Sequence, residues 1–212
     1  MIKLIKLHLY YLFNKTIFII ILLTEALVIF SLLVNDLNMS NYLDSVFPMI
    51  KIIIAFVNIY IYSYSVSDNQ NYYFYYLIGS VSRIRFILSK IFCLFMISLF
   101  TVFIVFFSFL FFGYLKLSDY YFDNLFLIKF LNLLLLVITY GLYGFMASLL
   151  IKNNFTVLLV IGLFILGDNT KNIILLPNDK DYSTVSFIYK CLIIVFIVII
   201  NLLIYNKREL NY

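Results

Sequence analysis

Long apolar stretches, broken by short clusters of charge, set the pattern of this chain. Read as helices, they fall at about residues 16–34, 47–66, 91–113, 125–150, 155–168 and 187–205. A bilayer-crossing helix takes about 20 apolar residues, so six crossings would use about 120 of the 212 positions. The fifth stretch, Phe155 to Gly167, reaches only about 20 Å at 1.5 Å per residue, about two thirds of a bilayer core. It is read as a broken or re-entrant piece continuing toward Ile173–Leu176, a shape tolerated only where protein buries it. The pattern predicts an all-α polytopic membrane protein, one transmembrane domain over residues 1–212.

Two segments do not fit a crossing. In residues 1–15, Lys3, Lys6, Tyr10 and Asn14 share one helical face, while Ile2, Ile5, Leu9 and Phe13 share another. That pattern predicts an interfacial helix lying in the headgroup plane and turning into the first span. Residues 68–90 form the longest charged connection, with Tyr72, Tyr73, Tyr75 and Tyr76 suited to a wet–apolar boundary. Gly79 and Ser80 offer a break there, before Arg83, Arg85 and Lys90.

Composition sharpens the class. The chain is 65% hydrophobic and 20% aromatic, and its 12% of charged residues is too little to cover a soluble surface. The net charge of +5 is a matter of placement. With the amino terminus inside, Lys3, Lys6, Lys15, Arg83, Arg85, Lys90, Lys152, Lys207 and Arg208 face the cytoplasm against only Asp68 and Glu209. The outer segments come out close to neutral. Positive charge favours the cytoplasmic side, so both termini are read as cytoplasmic, and nucleic acid is not the partner of this charge. A cleavable signal peptide is a poor reading of the first span, because no small-residue cleavage site follows before Asn35. The wealth of Ile, Asn, Lys, Tyr and Phe suggests an AT-rich bacterial genome, hence a bacterial cell membrane.

The chemistry on offer is sparse. There are two cysteines, one histidine and no tryptophan. Cys93 and Cys191 sit in apolar runs and read as packing residues, and His8, among lysines, reads as solvated. No H-E-x-x-H and no paired carboxylates occur, so an intramembrane enzyme lacks its ingredients and no metal is expected. Glu25 stands out. It lies about ten residues into the first span, about 15 Å deep, where an acid costs on the order of 2.5–3.5 kcal/mol and should find a partner. Asn58 and Asn132 are its candidate partners; it is either a structural acid or a lining residue of a substrate path. Asn58, Tyr62, Ser65 and Asn69 form a polar stripe in the second span, read as facing the bundle interior or a cavity. Gly141, Gly144 and Ser148 in the fourth span permit close helix packing. Lys51, Lys129 and Lys190 open three spans at their outer ends and are read as snorkelling to headgroups, with a basic exit ring as the alternative.

The layout, together with Gly79-Ser80, Val81-Ser82-Arg83 and Lys90, resembles the membrane subunit of type-2 ABC transporters. That family has an interfacial helix, six spans with both ends inside, a cytoplasmic coupling helix between spans two and three, and a re-entrant hairpin between spans five and six. The resemblance implies that residues 68–90 dock on an ATPase, with Asp68, Tyr72, Tyr76, Ser82, Arg83 and Arg85 as docking residues. It also implies that residues 168–186 are an outer, re-entrant connection. The family's early glutamate and Gly-Thr pair are missing; Asp68 and Asn69-Gln70-Asn71 stand nearby. No G-x-x-x-x-G-K-[ST] occurs, so ATP and Mg would belong to a partner ATPase. The resemblance further implies a dimer, with itself or with a related permease. The cargo expected is hydrophobic or amphipathic, such as a small peptide. The alternative is a non-ABC immunity or accessory protein that binds a peptide within the bilayer.

Overall fold

A computed structural model describes residues 2–12, 15–34, 42–67, 82–116, 124–151 and 184–207. Apart from Ser82 and Ile151 at helix ends, every one of these is α-helical. The helices are α1 (Ile2–Leu12), α2 (Lys15–Val34), α3 (Tyr42–Ser67), α4 (Arg83–Lys116), α5 (Asn124–Leu150) and α6 (Thr184–Lys207). Three contain runs long and apolar enough to cross a membrane: Ile84–Leu115, Phe126–Leu150 and Val185–Lys207. Shorter apolar runs, Ile17–Phe30 and Ile50–Val66, lie in α2 and α3. β-Branched residues abound in these helices despite their modest helix propensity in water. In hydrocarbon a helix satisfies its backbone internally, and that requirement overrides side-chain preference.

Helix α4 is longer than its apolar run suggests. Its 34 residues make a rod of about 50 Å, well beyond the ~30 Å hydrocarbon core. The expected third span opened at residue 91, whereas the helix starts eight residues earlier, at Arg83, with no break before the apolar run. Ser82 sits at the N-cap position, where its carbonyl accepts the Phe86 amide at 3.1 Å. Residues 82–90 are thus not a separate coupling helix but the first turns of the rod. Residues 68–81, including Asp68, Tyr72 and Tyr76, lie outside the described residues, as do the fifth stretch at 155–168 and the connection at 168–186.

Side-chain pairs fix the helix directions. Ser65 meets Lys90, and Asn58 meets Thr101, so α3 and α4 run antiparallel. One apolar cluster joins Ile91, Leu94 and Ile97 to Leu142, Phe145 and Leu149. A second joins Val102, Val105 and Phe109 to Phe126, Phe130 and Leu133, so α4 and α5 are antiparallel too. Helix α2 runs with α4: Ile17 and Ile21 belong to the first cluster and Val28 to the second. Lys190 bonds Asn132, and Asn201 donates to the Leu142 carbonyl at 3.2 Å, which makes α5 and α6 parallel. The second cluster is rich in rings, with Phe109 and Phe47 each edge-on to Phe130 at centroid distances of 5.5 and 5.6 Å.

Candidate functional site

The polar stripe of α3 is fully enclosed. Asn58, Tyr62 and Ser65 are each 0% exposed. The Tyr62 hydroxyl lies 2.9 Å from the Ser98 hydroxyl, which in turn donates to Asn58 Oδ1 at 2.9 Å. The Asn58 amide donates to the Ile54 carbonyl at 3.0 Å and reaches Thr101 Oγ1 at 3.5 Å. With Ser98 donating to Asn58, the Tyr62 proton points at Ser98, and the chain of donors is closed within protein. Ser65 returns its hydroxyl to the Tyr62 carbonyl at 2.7 Å. Such a stripe costs little in hydrocarbon because each polar group already has a partner.

The same stretch of α3 presses on α5. A Cβ built on Gly141 would sit 2.9 Å from the Tyr62 ring, and one on Gly144 would sit 3.1 Å from the Ile59 carbonyl oxygen. Only glycine lets the two backbones come this near. Ser148, one turn on, is buried and donates to the Phe145 carbonyl at 2.9 Å.

Glu25 occupies a different seam. The Ser108 hydroxyl on α4 donates to one of its carboxyl oxygens, and the side chain is half-buried. The expected partners are engaged elsewhere: Asn58 within the α3–α4 chain, and Asn132 with Lys190. Ser108 was not singled out in the sequence. The signal that could have found it is the position of Ser108, a lone hydroxyl in the Phe-rich run Phe103–Phe112, at the level of α4 that faces the middle of α2.

Three further expectations are corrected. His8 is 1% exposed, its ring edge-on to Phe86 at 4.8 Å, so it is a core residue of the α1–α4 contact and not a solvated one. Burial, with the Lys90 charge beside it, holds the imidazole down at about 4, the Phe86 backbone hydrogen bond working the other way. The face that α1 turns inward is accordingly Leu4 and His8, flanked by half-buried Ile5 and Leu9, one residue round from the expected Ile2–Ile5–Leu9 face. Lys190 does not snorkel: it is 1% exposed and donates to Asn132, and Lys129 is buried as well. Lys51 is half-buried.

At the opposite end of α4, Lys90 is buried and donates to the Ser65 carbonyl in the last turns of α3. A cation there satisfies a terminal carbonyl and favours the negative end of the helix dipole. Ser82 and Arg85 are exposed close by, and Arg83 opens the helix. Cys93 is buried and Cys191 half-buried, both as free thiols, and no cluster of metal-binding side chains occurs among the described residues. The chain matches no known family model and no curated protein. What stands is the class: a helical membrane protein with two polar seams along one long central helix.

Proposed function

We propose that the chain is the membrane-spanning permease subunit of an ATP-driven exporter, with ATP and Mg held by separate cytoplasmic ABC ATPase subunits. A second permease copy, or a related one, completes the path. The observation that carries this reading is the tie between the end of α3 and the start of α4. Lys90 ties the end of α3 to the stem of α4, and α4 continues as one rod from Arg83 through the apolar run. A push delivered at the start of α4, at Arg83, would therefore be carried along the rod to the end of α3 and into the bundle.

Two features support the topology. The described end of the bundle that holds α1, the end of α3 and the start of α4 gathers Lys6, Arg85, Lys90 and, from the end of α6, Lys207. On the positive-inside rule this is the cytoplasmic end. The parallel course of α5 and α6 supports a count of six crossings, because Leu150 and Thr184 then lie at opposite ends of the bundle. In this reading Glu25 contacts a hydrophobic or amphipathic cargo. Asn58, Tyr62 and Ser65, closed in the present conformation, line a path only if α3 and α4 part.

Purification of the full chain in mild detergent tests the proposal. An ATP-binding ABC subunit should come with it, and Arg85→Glu should lower the recovery of that subunit at least about fivefold by reversing an exposed docking charge. A monodisperse chain that brings no ATPase from its own host overturns the proposal in favour of a stand-alone peptide-binding membrane protein.

A further inference from the structure

The Glu25–Ser108 pair sits where a bilayer-dissolved molecule can reach it. Glu25 is the eleventh residue of the 20-residue α2, which places it about 15 Å from either end of the helix. Around it, α2 turns Leu22, Leu23 and Leu27 outward at 53–59% exposure, and on α4 Phe107 and Phe111, flanking Ser108, are 51% and 59% exposed. The apolar rim is thus open to lipid, and the carboxyl is the polar point inside it. Among the described residues Ser108 alone bonds that carboxyl, at one oxygen, and the side chain is only half-buried. The hydroxyl fixes the orientation of the acid and leaves its second oxygen for a donor from outside.

We propose that Glu25 and Ser108 form a binding point for the amine of an amphipathic molecule that arrives from within the bilayer, its apolar part lying against Phe107, Phe111, Leu22 and Leu23. Charge complementarity selects the amine, since an acid at this depth is stabilised by a cation or a strong donor, and an amine supplies both. Depth selects a mobile cargo over a lipid headgroup. The amine of a phosphatidylethanolamine is tied to the interface, about 15 Å from the bilayer middle. The inference deepens the cargo part of the reading above and rests on it for the direction of travel alone, because the binding itself requires no ATPase.

The test uses the full chain in phosphatidylcholine nanodiscs without any ATPase, so that a failure here leaves the question of the ATPase partner untouched. The probe is a fluorescent long-chain primary amine, with its neutral N-acetyl derivative as control. Wild type should bind the amine at least about tenfold more tightly than the acetylated probe, and Glu25→Gln, which keeps the shape, should remove that preference. A second measurement avoids any variant. Dicyclohexylcarbodiimide should label Glu25, and the free amine should slow that labelling at least about fivefold while the acetylated probe does not. Equal binding of both probes, equal binding by wild type and Glu25→Gln, or labelling insensitive to the amine would each overturn the site. Displacement of the probe by added phosphatidylethanolamine would overturn the assignment to a mobile cargo.

Discussion

Helix α4 carries two polar seams, and they are built in opposite ways. Toward α3, Ser98 and Thr101 meet Asn58 and Tyr62 in a closed chain of donors and acceptors, all buried. Toward α2, Ser108 meets one half-buried carboxyl inside a rim of exposed leucines and phenylalanines. In the first seam each polar group exists to satisfy another, and the product is a fixed register between helices. In the second the acid exceeds what its single partner can satisfy. The difference lies in what the neighbours leave unmet: the α3–α4 groups are spent on one another, whereas the Glu25 carboxyl keeps acceptor capacity beyond its bond to Ser108.

The sharpest way to break the comparison is to overfill each seam's surroundings. Gly144→Leu would drive a branched side chain into the Ile59 backbone, which cannot retreat without moving α3. The expected cost is about 3 kcal/mol, read as a lower thermal midpoint and loss of monodisperse protein in detergent. Ala26→Leu on the exposed face of α2 adds similar bulk and should change stability by less than about 0.5 kcal/mol. If the two variants lose equally, α2 is packed against protein and the open seam does not exist.

The enclosed side of α4 extends to its first turns, where acid should find it. The buried His8 imidazole is held at about 4, against 6.5 when unfolded. Below pH 6.5 the unfolded chain takes up a proton that the folded one refuses, so stability falls as pH falls toward 4. At pH 5 the loss attributable to His8 should be about 2 kcal/mol. It is isolated by comparing wild type with His8→Leu at pH 8 and pH 5, since other titrations common to both cancel. Identical pH dependence in the two proteins would return His8 to the solvated surface.

Much of this was legible in the sequence, for a physical reason. Crossing helices are dictated by long apolar runs, and the edges of α2, α5 and α6 fall within a few residues of those runs. The continuity of α4 was not legible, because the charges of Arg83, Arg85 and Lys90 assign residues 83–90 to the coupling segment before the span, while their place in the rod is held by contacts from other segments: Phe86 against His8, Lys90 against Ser65. Partners were the least legible feature. Asn58 and Asn132 looked suitable for Glu25 by depth alone, yet depth says nothing of azimuth, and both asparagines face away toward other helices. Buried Lys190 misled for a related reason: position near a helix start suggests a headgroup, but a nearby Asn132 made burial affordable.

The smallest effect separates the seams most finely. Tyr62→Phe keeps the ring against Gly141 and removes only the hydroxyl at the head of the closed chain. Ser98 loses a donor but keeps its bonds to Asn58 and the Leu94 carbonyl, so the expected destabilisation is about 0.6 kcal/mol, the typical worth of an interhelical hydrogen bond in a membrane. Ser108→Ala likewise removes one hydroxyl, but its partner is only half-buried and the rim around it is exposed. Its effect on unfolding should be smaller than that of Tyr62→Phe, while the reactivity of Glu25 toward carbodiimide should change, because the acid loses the contact that orients it. A Ser108→Ala variant that is the less stable of the two and labels at the wild-type rate would mean that both seams serve packing alone.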